Sequence, residues 1–205
     1  MVEKPSGIYK NLENHLPENV IHYCFDLWDK FKFEFKITNR RSSKLGDYRY
    51  KGADNSHTIT INNDLNKYAF LVTYLHEVAH LITYSEYRSK VYPHGKEWKN
   101  NFRKILNPVL NELVFPPDIL NHLRNYMADP KASSCSDQKL SKALAAYDLP
   151  GSYVHLSEVP IGKSFRFNRK IYQMETSKRT RIICKEVTTG KKYLISAIAK
   201  VELLT

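Results

Sequence analysis

The stretch TYLHEVAHLITY, residues 73–84, constrains the fold more than any other part of this chain. Leu71, Leu75, Val78, Ala79 and Ile82 recur at helical spacing, so one stripe of the segment must face a core. On the same helix His76 and His80 are four residues apart, which stacks their imidazoles one turn from each other. Burying polar rings without partners is costly. The fold therefore has to supply something that satisfies both histidines at once.

The neighbouring patterns predict a mixed architecture. PENVIHYCFDLWDKF (17–31) carries Val20, Ile21, Cys24, Leu27, Trp28 and Phe31 on a helical stripe, with Pro17 suited to its start. The period then changes to two. Phe33, Phe35 and Ile37 alternate in 32–38, and Ile59 and Ile61 in 57–62, with the turn-rich LGDYRYKGADNS between them. Two or three antiparallel strands are expected there. Asn63 or Asp64 can cap the histidine-bearing helix, which is expected to run to about Tyr84. Three more helices follow, over KEWKNNFRKIL, PPDILNHLRNYM (116–127) and SDQKLSKALAAY (136–147). Beyond DLPGS the pattern is of strand type in KSFRF, KIYQME, TRIICKEV and KKYLIS. The expected fold class is α+β. Helices with a small antiparallel sheet occupy residues 1–150, and a small β-rich basic module occupies 151–205.

His-Glu-x-x-His on a helix is a metal-site spacing, since two neutral imidazoles one turn apart can bind the same zinc ion. Glu77 follows the first of them and sits near such a metal without binding it, placed to take a proton from water there. Catalytic zinc uses three protein ligands. Glu86, His94 and Glu97 are the downstream candidates, and His94 lies in the loop YPHGKEW beside a flexible glycine. Tyr84, Tyr87 and Tyr92 are close enough in sequence to stabilise an oxyanion, though packing is the commoner use of such residues. Trp98 is expected to pack behind the His94 loop. His15, His22, His57, His122 and His155 read as surface or satisfied residues.

Charge is unevenly distributed. Of the net +11, residues 160–205 carry +8, with eleven basic residues against Glu175, Glu186 and Glu202, which leaves +3 for the other 159. A solvated surface is one reading; a polyanion-binding module is the other. Arg166, Arg169, Lys170, Arg179, Arg181 and Lys185 fall in or beside the expected strands and are the candidate phosphate contacts. Such contacts would be made to backbone, with little dependence on base sequence. The N-terminal stretch has no apolar signal region, and no run approaches eighteen apolar residues, so neither secretion nor a membrane span is expected. Cys24, Cys135 and Cys184 are too few and too scattered for a disulfide framework, which fits a reducing cytoplasm.

Four motifs, in order, resemble the metallopeptidase domain of the SprT-like family, which includes the eukaryotic Spartan proteases. They are Leu45–Tyr48 (Leu-Gly-x-Tyr), Ile59–Asn62 at a strand end, His76–His80, and His94–Trp98 (His-Gly-x-x-aromatic). The resemblance covers roughly residues 20–110. It implies a zincin-like metalloprotease binding one Zn2+ through His76, His80 and His94, with Glu77 as catalytic acid/base and proteins as substrate. Family members with known roles cleave proteins bound or crosslinked to DNA, and DNA switches the protease on. The implied setting is cytoplasmic, with nucleoid association open through the basic module. In one respect the chain departs from the family pattern. Many SprT-like proteins carry a zinc ribbon built on two cysteine pairs, whereas the C-terminal module here has only Cys184. Two other readings stay in view: a general cytoplasmic metallopeptidase without a DNA role, and a non-catalytic zinc-containing nucleic-acid-binding protein. The presence of Glu77 argues against the latter, because a purely structural site needs no base there.

Overall fold

The structure is a computed structural model that describes residues 6–41, 44–131, 137–148, 153–178 and 180–204. The chain forms two compact units, Met1–Asp148 and Leu149–Thr205. In the first, helices α1 (Ser6–His15) and α2 (Ile21–Phe31) precede strands β1 (Glu34–Thr38), β2 (Gly46–Lys51) and β3 (Ser56–Asn62). Helices α3 (Lys67–Tyr87), α4 (Lys96–Leu106), α5 (Pro117–Ala128) and α6 (Gln138–Ala145) follow.

Helix α3 is central because its residues are apolar nearly all round. Phe70, Leu71, Tyr74, Leu75, Val78 and Ala79 are all fully buried. Phe35 packs edge-on and Phe33 at a tilt against its Tyr74 side, and the Tyr74 hydroxyl donates to the Cys24 carbonyl at 2.8 Å. The helix is longer than the sequence indicates, reaching Tyr87. Its cap is Asn66 rather than Asn63 or Asp64. The Asn66 side chain accepts from the Tyr68 and Ala69 amides, while its own NH2 donates to Leu144 O (2.8 Å) and Asp148 Oδ1 (2.7 Å). That second pair of bonds ties the start of α3 to the end of α6, a tertiary role that selects Asn66 among three neighbouring residues of similar capping strength.

The three-stranded sheet has the order β1-β3-β2 and is mixed, not antiparallel as the alternation suggests. β1 runs parallel to β3, with Phe35 opposite Ile59, and β2 pairs antiparallel with β3, with Tyr48 opposite Ile59. Period-two alternation reports a half-buried strand but carries no information on direction. β2 arises inside the stretch that reads as turn-rich, because its residues are polar or aromatic rather than aliphatic.

The second unit is a six-stranded antiparallel sheet. Its strands are β4 (Tyr153–His155), β5 (Ser164–Phe167), β6 (Lys170–Ser177), β7 (Arg181–Glu186), β8 (Lys192–Ser196) and β9 (Lys200–Leu203), in the order β4-β9-β5-β6-β7-β8. Phe165, Tyr172, Met174, Ile182, Cys184, Ile195 and Val201 form its own core. The short β4 and β9 escape the sequence pattern, being three and four residues long. Asn168 and Arg169 both adopt positive φ in the β5–β6 turn, the backbone a tight hairpin requires. Among the described residues no helix is long and apolar enough to cross a membrane.

Candidate metal centre

His76 and His80 project from the same side of α3, as their spacing requires. The third imidazole comes from the loop into α4. Its tight turn is closed by a bond from the Gly95 amide to the Tyr92 carbonyl at 2.9 Å, and a Cβ on Gly95 would meet that carbonyl oxygen at 2.9 Å. Glycine is thus needed there on space alone. His94 itself sits at φ 60°, a left-handed conformation that turns its ring back toward α3.

The outcome is a convergence of three ring nitrogens. His80 Nε2 lies 3.2 Å from His76 Nε2 and 2.9 Å from His94 Nε2, and the His94–His76 separation is 3.2 Å. Of the three downstream candidates only His94 joins the pair. The Glu86 carboxylate instead accepts from Asn101 Nδ2 at 2.9 Å, an α3–α4 link shared with Thr83. Trp98, fully buried, places its indole 4.6 Å from the His76 ring and 4.7 Å from that of His94, and stacks on Phe102. It forms the apolar floor of the cluster, as expected.

Electrostatics favour neutral rings. Burial, with the His80 and His94 charges adding, brings His76 down to about 2. Burial and then His94 bring His80 to about 3, and burial lowers His94. Three neutral imidazoles aimed at one point cannot satisfy one another, since each carries a single N–H. A metal ion can satisfy all three lone pairs. Tetrahedral zinc with bonds of about 2.0–2.1 Å spaces its nitrogens by about 3.3–3.4 Å, close to the observed separations. The donor set therefore fits such an ion.

Glu77, 7% exposed, packs against β2, its carboxylate end beside Gly46. Burial first, and then the Asp47 carboxylate, raise its carboxyl to about 8, while the Tyr48 backbone N–H, Arg41 and Lys44 oppose the shift. Tyr48 closes the Leu45–Tyr48 motif, to which the sequence assigns no role at the site. Its ring lies parallel to that of His80 at 6.4 Å, and its hydroxyl bonds His57 Nδ1 at 2.9 Å. Of the three tyrosines considered for an oxyanion, Tyr84 continues the His76–His80 row and lies 6.2 Å from Tyr48, whereas Tyr87 and Tyr92 are 41% and 86% exposed.

The six basic candidates of the second unit do not share one face. Arg166 Nη1 bonds both Glu202 oxygens at 3.0 Å. Lys170 pairs with Glu186 at 3.0 Å, on the strand face that also carries Tyr172 and Met174. Arg169 is exposed in the hairpin turn, and Arg179 lies outside the described residues. Arg181 and Lys185 do share the outer face of β7, and Lys192 stands directly opposite Lys185 on β8. Register adds Lys192 to that outer face, and Arg166, opposite Ile171 on β6, lies on it too.

An α+β unit that aims three neutral imidazoles at one point, two from a His-Glu-x-x-His helix, defines a candidate mononuclear metal protein. The SprT-like family model matches residues 13–116, half of the chain, and the chain belongs to this metal-dependent family, which is associated with metalloprotease activity. No curated protein and no solved structure matches it.

Proposed function

We propose that the protein is a zincin-like, zinc-dependent endopeptidase acting on DNA-associated or DNA-crosslinked proteins. The observation that carries the peptidase reading is the convergence of His76, His80 and His94 Nε2 within 3.2 Å, the first two on the same helix as a buried carboxylate. Bound zinc would supply an acidified water and a polarising charge for the scissile carbonyl. This chain's own residues do the rest. The three imidazoles hold the ion in their neutral form. Glu77 takes the proton of the attacking water and returns it to the leaving amine. Trp98 and Phe102 keep water from the back of the cluster. The outward edge of β2 can align an extended peptide through backbone hydrogen bonds, which reads main chain and gives broad sequence tolerance.

The DNA partner is supported by the +8 carried by residues 160–205 and by the placement of Arg181, Lys185 and Lys192. Like charges directly across a ladder are destabilising. Glu175 reaches Lys192 at 2.8 Å and relieves only part of that repulsion. A face that keeps such a pair is suited to an anion. The test is a cleavage assay on a DNA-bound protein with zinc-loaded enzyme, with and without DNA, comparing wild type with Glu77→Gln. Cleavage that needs Glu77 and rises with DNA is expected. Cleavage that needs Glu77 but ignores DNA would leave a general peptidase, and none at all would overturn the reading.

A further inference from the structure

Strand β2 lies along α3 in a register that bears directly on Glu77. The Asn62 amide donates to the Leu45 carbonyl at 2.9 Å, and Gly46 stands opposite Ile61. Odd-numbered residues of β2 therefore bond to β3, and Gly46, Tyr48 and Tyr50 turn their backbone groups to the free edge. The outward Tyr48 amide is the one that donates to the Glu77 carboxylate. The same three residues share the face toward α3. Tyr48 lies over His80, and the Tyr50 ring is 4.5 Å from that of Tyr84. At Gly46 there is no room for any side chain: an added Cβ would meet Glu77 Oε1 at 2.6 Å, Thr73 Cγ2 at 2.7 Å and Glu77 Cγ at 2.8 Å.

Buried Asn62 ties together the described residues that flank the entry to β2, with Thr60 adding bonds to Arg41. Asn62, 1% exposed at the end of β3, donates through Nδ2 to the carbonyls of Arg41 (3.2 Å) and Lys44 (2.9 Å). Its Oδ1 accepts from Arg41 Nε at 2.8 Å. Every polar atom of that side chain fastens chain on one side or the other of the loop, just ahead of Gly46.

We propose that Gly46 and the Tyr48 amide, anchored through Asn62, are positioning elements for the Glu77 carboxylate. The idea rests on the reading of Glu77 as the base. Gly46 supplies the space into which the carboxylate fits, the Tyr48 N–H fixes one of its oxygens, and Asn62 sets the height of β2 over α3. This gives a physical reason for a glycine and an asparagine that lie outside the set of metal ligands. Adding a methyl at position 46 leaves the three histidines untouched and pushes the carboxylate end of Glu77 aside, since it is the most movable of the crowded atoms. Displacement of a reacting group by about 1 Å costs on the order of 100-fold in rate.

The experiment uses the full-length, zinc-loaded protein. Gly46→Ala is expected to lower kcat by about 100-fold, with KM within about twofold and zinc content unchanged. In a Glu77→Asp background the carboxylate is one methylene shorter, so the same substitution should cost less than about fivefold, a non-additivity that direct contact requires. Independently of turnover, the Tyr48 amide proton resonance should lie downfield in wild type and move upfield in both Glu77→Gln and Gly46→Ala. Wild-type kcat in Gly46→Ala, equal losses in the two backgrounds, or a Tyr48 resonance unmoved by Glu77→Gln would each overturn the proposal. A wild type that cleaves nothing would instead sink the peptidase reading, and the resonance alone would then decide whether β2 holds the carboxylate.

Discussion

The three metal-site histidines and Glu77 make opposite demands on the metal-free protein when the pH falls. An unfolded histidine titrates near 6.5 and an unfolded glutamate near 4.3. In the fold His76 and His80 are lowered to about 2 and 3, so both stay neutral at pH 5 while their unfolded counterparts are protonated. Groups with lowered values contribute stability that is present above the unfolded value and lost as pH falls toward the folded one. Between pH 7 and pH 5 each imidazole therefore removes about 1.9 kcal/mol of folding stability, about 3.8 kcal/mol for the pair. His94, also lowered, adds to the loss. Glu77 works the other way. Its value of about 8 means that its contribution is full below the unfolded value and disappears as pH rises through 8. Over the same interval it adds about 2.5 kcal/mol on acidification. The wild type should thus lose little more than about 1.3 kcal/mol from these groups, and Glu77→Gln, stripped of the offset, about 3.8 kcal/mol or more. Urea unfolding of chelator-treated protein at the two pH values measures this, and every unrelated group cancels in the difference of about 2.5 kcal/mol between variants. Adding His76→Leu to the Glu77→Gln variant should flatten the fall by about 2 kcal/mol. If wild type and Glu77→Gln fall equally, Glu77 is not held protonated in the fold. If neither falls, the imidazoles are not buried as neutral rings.

Four further outcomes follow from the geometry. Metal analysis of protein purified without chelator should find one zinc per chain, and His94→Ala should weaken retention while His76 and His80 keep residual binding; equal retention would remove His94 from the ligand set. Glu77→Gln should keep the metal and lose hydrolysis by about 100-fold or more, the scale of a general base, so a wild-type rate would refute that role. Trp98→Ala should cost about 3–5 kcal/mol of stability, because Trp98 is fully buried between the imidazoles and Phe102, and a loss under 1 kcal/mol would show that the floor repacks. DNA affinity should fall with salt at a log–log slope of about −0.7 to −0.9 per phosphate contacted, and replacing Arg181 and Lys185 by Ser should reduce that slope more than replacing Arg166 and Lys170, whose charges Glu202 and Glu186 already pair; the opposite ranking would place the anion-binding residues elsewhere.

What the sequence determined is local. A 3.6-residue period places His76 and His80 on one side of a helix wherever that helix sits, and helix α4 appears at the residues its apolar pattern marks. The alternation in β5 to β8 likewise marks those strands, because side chains must alternate across a pleat whatever lies beside them. Choices between equivalent residues were left to the tertiary structure. Spacing alone offered Glu86, His94 and Glu97 as third ligands, with the His-Gly motif favouring His94; in the fold Asn101 takes the Glu86 carboxylate and the Gly95 turn brings His94 inward. Three capping residues were equivalent until α6 bonded Asn66. Strand direction in the first sheet, and the sharing of one face by Arg181, Lys185 and Lys192, depend on which strands meet, and no period encodes a neighbour. The most distant decision concerns Gly46 and Asn62. Their partners, Glu77 and Arg41, lie 31 and 21 positions away, and only the packing of β2 on α3 and of β3 against the chain entering β2 makes a missing side chain and a buried amide matter to a carboxylate.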